Sequence, residues 1–500
     1  MQYKVRHQNE FSDPFGADIG IMIGDTLSPE FWILYMADFE IPPTADDIEL
    51  MGMLISHLEQ ADDLLLLALS AEGLQRKMDI FYQWCRVNFL IINAIKSGIS
   101  YHGPAPAIMP VFRFGNSPVA LLMEYAYVGM HFHTGNYRVF SSLIKPHFVE
   151  KAQKARKTAH AVLHVESMIG TLPVHEGKIL YMGCVDPHLI YGCEVTLNTS
   201  SQLFDLLFDV QKAFFRRLLG LSKTSIKAAI FSETGIMPLQ FRWLILALRS
   251  LSYFLKRPAD TYVRAALNES ISLHTQGKSS WFGDLKINIT RVCPTYSLPD
   301  ADILLSAGPD SDVLGDFTKT ITNEALRWVE SELERVDKRS YLLQLRQEPH
   351  ENGSSKYRTM WLRQYLKDIQ NAQHRKALTR LLSGDHPLAV VRLTWTDNHR
   401  IQVPHDERVC RFCKQAVETP EHALLECTHQ PLVDLRSNFL REFYRLQPRP
   451  VVLNNNMDKR SYLAYLASSQ PSFSVLAKWV YSMIKVYNGT VMYVPEQYRR

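Results

Sequence analysis

The 500-residue sequence has little net charge: 55 lysines and arginines against 51 aspartates and glutamates leave a formal charge of only +4. A chain that coats itself in nucleic acid is usually far more basic, so any phosphate contacts must come from local clusters. Cysteine is sparse, with seven in the chain, which excludes a disulfide framework and fits a reducing compartment. Long apolar runs are missing. The stretch Leu64 to Leu69 is typical of the longest and is far too short to span a bilayer. The first residues, MQYKVRHQNEFSD, lack the apolar core of a signal peptide. The expectation is therefore cytoplasm or nucleus, with no membrane partner. No repeat of fixed period occurs, and no DEDD-type carboxylate set argues for a ribonuclease H domain.

What is present is globular. Hydrophobic residues make up 46% and charged residues 21%, enough apolar material for several cores. The first hundred residues read as mixed α/β. Ser28-Pro29 suits a helix start, with Ser28 as cap, and Pro42-Pro43 closes the helix after about Glu40. Leu54 to Gln60 and Leu64 to Leu69 read as two strands of a hairpin around Ala61-Asp62-Asp63. Leu74, Met78, Phe81, Cys85 and Phe89 fall at helical spacing, with Ser70 as cap. Phe89 to Asn93 then returns to extended chain, giving a compact sheet with a helix on one face. From about residue 140 the pattern is mainly helical, clearest in SQLFDLLFDVQKAFFRRLLGL and PLQFRWLILALRSLSYFLKR. Weak joints fall at 307–312, at 348–356 and around Asn454-Asn455-Asn456.

Two adjacent aspartates at a hairpin corner can hold Mg²⁺, which takes hard oxygen ligands and keeps waters and substrate phosphates. Two such ions activate a primer hydroxyl and hold the leaving pyrophosphate. Asp is also a common turn residue, so the pair alone reads equally as a solvated turn. Its surroundings form an ordered series: Gly24-Asp25-Thr26-Leu27-Ser28-Pro29 running into a helix, the hairpin, Asn93-Ala94-Ile95-Lys96-Ser97, and Tyr127-Val128-Gly129.

This series resembles the palm of the reverse transcriptases of non-LTR (LINE-like) retrotransposons. The resemblance implies an RNA-directed DNA polymerase, a nucleotidyltransferase acting on an RNA template, a DNA primer and deoxynucleoside triphosphates. It makes Asp62 and Asp63 the metal-binding catalytic aspartates, with Mg²⁺ or Mn²⁺ as cofactor. Gly24 and Asp25 become the loop at the nascent base pair, Lys96 a partner of the incoming triphosphate, and Tyr127 and Gly129 the turn under the primer terminus. Lys96 reads also as a solvated surface lysine. The sequence departs from the family at Ile23 (glutamine there), Thr26 (proline) and Ser97 (threonine). The family's third catalytic aspartate stands several dozen residues before the Gly-Asp loop, whereas 23 residues precede Gly24 here. Asp13 and Asp18 are too close to that loop to serve, and the fingers are missing too. The expectation is an N-terminally truncated enzyme of impaired activity. The alternative is a non-catalytic RNA- or DNA-binding remnant.

Near the end, Cys410, Cys413, His422 and Cys427 have the spacing Cys-x2-Cys-x8-His-x4-Cys. Three thiolates and an imidazole make a closed tetrahedral set for structural Zn²⁺. The competing reading is four residues buried separately. Residues 419–425 can begin a helix presenting His422. Glu418-Thr419-Pro420-Glu421-His422 also resembles the zinc-knuckle module that follows the polymerase in many LINE-like proteins, which implies contact with RNA or DNA. Arg408, Arg411 and Lys414 are candidate phosphate contacts. Cys85, Cys184, Cys193 and Cys293 read as structural. Lys145, Lys151, Lys154, Arg156 and Lys157, and Lys212, Arg216 and Arg217 beside Phe214 and Phe215, read either as a nucleic-acid track or as solvated faces. Trp361, Arg363, Arg392 and Trp395 suggest no chemistry.

The fold expected is α+β: a partial palm at 1–135, a thumb-like helical region at 136–265, a helical connector at 266–404, a zinc knuckle at 405–435 and a C-terminal helical segment at 436–500.

Overall fold

The structure is a computed structural model. It describes residues 2–16, 20, 24–105, 108–137, 140–306, 314–345, 348–349, 355–356, 358–447, 449–454 and 456–500. The expected joint at 307–312, together with Asp18, Ile23 and Asn455, lies outside the described residues. The chain is α+β, dominated by helices and accompanied by small, mostly antiparallel strand pairs. It divides into two compact units, one of residues 1–147 with 257–280 and one of residues 148–256 with 281–500. Among the described residues no helix is long and apolar enough to cross a membrane.

In the first unit the opening helix runs Ser28–Met36 with Pro29 in its first turn. Ser28 is already helical and buried, so Leu27 occupies the cap position and no side chain caps the end. The helix also stops earlier than Pro42-Pro43 suggests. Phe39 N–H bonds back to the Met36 carbonyl at 2.9 Å. That turn sends Phe39 and Ile41 into a cluster with Met36, against Phe81 and Trp84. Burial of two large apolar side chains outweighs a few more helical bonds.

The expected hairpin is present, with His57–Gln60 paired antiparallel to Asp63–Leu66. Leu67 N–H reaches the Ser56 carbonyl at 2.9 Å and extends the pairing by one step. Leu54 and Ile55, which the sequence placed in the same strand, belong instead to Met53–Ile55, paired with Ile48–Leu50. Met51 and Gly52 both have positive φ there, 48° and 82°, the signature of a tight two-residue hairpin turn. Ser70 caps the Ala71–Val87 helix as expected, its hydroxyl accepting from Gly73 N–H at 3.0 Å. This helix packs on the Asp63–Leu66 strand and on Arg113–Phe114, over a core of Met78, Ile99, Phe112, Phe114 and Val119.

The expected single sheet is not formed: among the described residues every sheet has two strands. Phe89 to Asn93 is not a strand. Phe89 sits at φ 59° and, with Ile91, is almost fully exposed, so this segment turns away from any ladder.

The second unit is built on long amphipathic helices. Ser201–Leu219 ends at Gly220, whose left-handed φ of 72° makes the C-terminal cap that a side chain would strain. Leu239–Leu255 packs on Gly315–Glu334, and Phe473–Asn488 packs on both Ala372–Leu382 and Gln430–Leu446. At the centre, Glu233 and Arg363 are fully buried and paired at 3.2 Å. Tyr365 Oη also donates to Glu233 at 2.7 Å. Arg363, for which the sequence suggested no role, is thus a core ion-pair residue.

Candidate metal centre and acidic turn

Cys410 and Cys413 bracket a tight turn. Cys410 N–H bonds the Ala416 carbonyl at 2.8 Å, and Lys414 N–H bonds back to the Cys410 carbonyl at 2.9 Å with Lys414 at φ 55°. His422 and Cys427 come from the segment that begins at Pro420 and winds as a π-helix over His422–Glu426. Residues five apart on an α-helix point about 140° apart. The wider π-turn, closed by Cys427 N–H to the His422 carbonyl at 2.8 Å, brings them to one side. The helical start was legible from the sequence; the π-winding that makes His-x4-Cys workable was not.

The four ligand atoms lie within 4.8 Å of one another. Cys410 Sγ is 3.8 Å from Cys427 Sγ, and Cys413 Sγ is 3.3 Å from His422 Nε2. A tetrahedral zinc with Zn–S of ~2.3 Å spaces its sulfurs about 3.8 Å apart, so the donor set fits that ion. A disulfide would need about 2.05 Å, and all seven cysteines are free. Cys410 and Cys427 are fully buried and His422 nearly so. The Cys410 thiol is pushed down, first by the hydrogen bond from Cys427, with help from His422 and the backbone N–H groups of Cys413 and Phe412. That same bond, with burial, holds the Cys427 proton on.

Around it, Glu418 is fully buried and takes Arg411 Nη2 at 2.6 Å, Arg411 Nε at 3.1 Å and Ala389 N–H at 2.8 Å. Arg408 donates to the carbonyls of Val403 and Val390, both at 2.9 Å. The expected phosphate contacts of Arg408 and Arg411 are therefore corrected: both guanidiniums are buried and spent on internal acceptors. Lys414 stays exposed, its ammonium 5.1 Å from the Tyr493 ring centre.

The proposed track on Ser201–Leu219 is corrected for Lys212, Phe214 and Phe215, while Arg216 is half-buried and Arg217 exposed. Phe214 and Phe215 are core residues, and Lys212 is buried with its ammonium 2.7 Å from Asp209. Lys151 is also buried, donating to the Tyr191 carbonyl at 2.5 Å, and burial holds it down to about 8. Lys145, Lys154, Arg156 and Lys157 are exposed.

In the first unit Ala61 and Asp62 form the two-residue turn between paired Gln60 and Asp63. Asp63 is therefore the first residue of its strand rather than part of the corner, and both carboxylates are exposed. Ala61 holds a left-handed φ of 52°, unusual for a side-chain-bearing residue and a mark of a constrained turn. Trp32, from the helix after Gly24-Asp25, donates its indole N–H to the Ala61 carbonyl at 2.6 Å. Tyr127 ends the strand Glu124–Tyr127, turned into Met130–His133 through Val128 at φ 48° and Gly129 at φ 71°. Its phenol is pushed up, first by burial and then by the Asp63 carboxylate.

Lys96 is exposed in a turn closed by Asn93, whose side chain and carbonyl both accept Lys96 N–H at 3.1 Å. Gly24, at φ 90°, and Asp25 are exposed. Among the described residues no hydrogen bond joins Gly24, Asp25 or Lys96 to Asp62 or Asp63. No third acidic side chain joins the pair either: among the described residues, Cys410, Cys413, His422 and Cys427 form the one cluster of three or more potential ligands. Sequence reasoning missed Trp32 and Tyr487, which contact the acidic turn and the cysteine cluster respectively; an aromatic in a helix gives no sign of such a polar contact.

Comparison with protein-family models and with curated proteins finds no match.

Proposed function

We propose that residues 24–133 derive from the polymerase palm of a LINE-like reverse transcriptase and that the Cys410 cluster is its zinc knuckle. The observation that carries this is convergence. The helix after Gly24-Asp25 and the Asp62-Asp63 turn are apart in sequence, yet Trp32 donates its indole N–H to the Ala61 carbonyl at 2.6 Å; the Asp63 carboxylate also adds to the upward push that burial gives the Tyr127 phenol. Conserving the order of motifs would not by itself bring them together.

In this reading Asp62 and Asp63 hold Mg²⁺ or Mn²⁺, and Tyr127 and Gly129 support the primer end. Two-metal phosphoryl transfer needs both ions held in line. With two carboxylates and no third among the described residues, the ions bind weakly. The chain then engages primer, template and nucleotide but extends slowly or not at all. Primer extension on an RNA template, with Mg²⁺ and then Mn²⁺, tests this. The expected outcome is extension at background level, unchanged in Asp62→Ala. Robust extension that Asp62→Ala abolishes would overturn the impairment while establishing the polymerase.

The pair of exposed carboxylates, joined by no third among the described residues, is also compatible with a second reading, a nucleic-acid-binding protein without catalysis. It requires salt-sensitive binding of RNA or DNA, weakened by Cys410→Ser. No binding at low salt would sink it.

A further inference from the structure

Tyr487 lies near the end of the Phe473–Asn488 helix and is almost fully buried. Its hydroxyl is 3.8 Å from Cys410 Sγ, and among the described residues that sulfur is its hydrogen-bond partner. The two residues between the knuckle cysteines both hold this tyrosine. The Phe412 ring meets the Tyr487 ring edge-on at 5.0 Å and 71°. Arg411 places its guanidinium 5.2 Å from the Tyr487 ring centre. Its Nη1 donates to the Tyr487 and Thr490 carbonyls, at and just past the end of that helix, at 2.6 and 3.0 Å. Arg436 Nη2 donates to the Cys427 carbonyl at 3.1 Å.

A buried hydroxyl demands an acceptor. A thiol sulfur is a poor one, whereas an ionised partner shortens and strengthens the bond. A metal-bound thiolate is therefore the acceptor that suits Tyr487. Partners outside the ligand set orient ligands and raise metal affinity, and their loss commonly costs about tenfold or more.

We propose that Tyr487 is a positioning residue of the metal centre: its hydroxyl donates to the metal-bound Cys410 thiolate, and the loaded cluster in return anchors the end of the Phe473–Asn488 helix. This rests on the cluster holding zinc. The test uses the full chain loaded with Zn²⁺ or with Co²⁺ as a spectroscopic substitute, in wild type, Tyr487→Phe and the control Tyr465→Phe. In Tyr487→Phe the sulfur-to-cobalt charge-transfer band shifts and zinc passes to a chelator about tenfold faster, while circular dichroism is unchanged. The Tyr465→Phe protein matches wild type in both readouts. An unshifted band and an unchanged transfer rate in Tyr487→Phe overturn the proposal and leave the zinc site standing. A wild-type chain that takes up neither metal overturns both. Should Tyr487→Phe lose its fold, hydrogen exchange of wild type decides: amides of residues 473–490 gain protection on zinc loading, and equal protection with and without zinc overturns the anchoring.

Discussion

The sequence contains the triplet Ala-Asp-Asp twice, at 45–47 and at 61–63, and the two have opposite fates. Asp46 accepts Ser70 Oγ at 2.6 Å and Arg76 Nη2 at 2.9 Å. Asp47 is buried with Lys77, Nζ to Oδ1 at 2.5 Å, and takes Thr44 N–H at 3.0 Å. Asp62 and Asp63 have no side-chain partner of this kind among the described residues and face solvent. The first pair is spent on the scaffold and the second is available to a cation. Nothing in either triplet distinguishes them; the difference comes from Arg76 and Lys77 on the helix that packs over the first. Removing one member of a buried ion pair leaves the other charge uncompensated, so Lys77→Met should cost about 3 kcal/mol. A thermal-melt comparison with Lys77→Met/Asp47→Leu, which removes both charges, should recover most of that loss. Asp47 also gives the acid limb its sign. Burial raises its pKa, but the Lys77 and Thr44 hydrogen bonds outweigh burial and leave it lowered. Its folded form therefore binds fewer protons than the unfolded chain, so its contribution is complete above the ordinary carboxylate value of about 3.9 and is lost as pH falls below it. Denaturant titrations from pH 6 to about pH 3 should show a shallower acid decline in Asp47→Asn than in wild type.

At the scale of elements, what was legible is what local chemistry dictates. Ser70 sits just before an apolar repeat of helical period and caps that helix. The hairpin around Ala61-Asp62 follows from two apolar runs separated by a polar corner. Replacing Ser70 with alanine removes the bond to Gly73 N–H and the one to Asp46; it should lower the stability of the first unit by about 1 kcal/mol. In urea this shows as a lower midpoint with an unchanged slope, and a changed slope would mean that the cap acts on more than its helix. Other element features were hidden because their causes are not local. The Ser28–Met36 helix ends where Phe39 finds a core made by Phe81 and Trp84, far along the chain. Phe89 reads as strand by composition, yet among the described residues no strand pairs with it. The aromatic and basic residues of Ser201–Leu219 have the composition of a nucleic-acid track, but Phe214 and Phe215 are taken into the core. The π-turn at His422–Glu426 is visible only through the ligand geometry it serves.

Across the whole molecule both units join local structure to contacts made far along the chain. The first combines hairpins closed over short distances and helices capped by Ser70 and Thr261 with a distant segment, residues 257–280, whose helix packs on the Ile48–Leu50 strand. The second depends on contacts of long sequence separation, such as Arg363 with Glu233 and Arg411 with the Tyr487 and Thr490 carbonyls. The cysteine cluster lies within that second network. Its knuckle is tied through Arg411 and Glu418 to Ala389, and through Phe412 to the helix that packs on Ala372–Leu382 and Gln430–Leu446. A metal that binds the folded cluster and not the unfolded chain stabilises by mass action, about 4 kcal/mol when free metal is a thousandfold above its dissociation constant. Chelation should withdraw that stabilisation from residues 372–490 and leave the first unit as it was, since no ligand of the cluster belongs to it. Hydrogen exchange with peptide resolution, on the zinc-loaded and chelated chain, reads the two units separately. The expected result is lost protection around 405–446 and 473–490, with 28–36, 57–66 and 71–87 unchanged; uniform loss in both units, or none in either, would refute a metal centre that stabilises one unit alone.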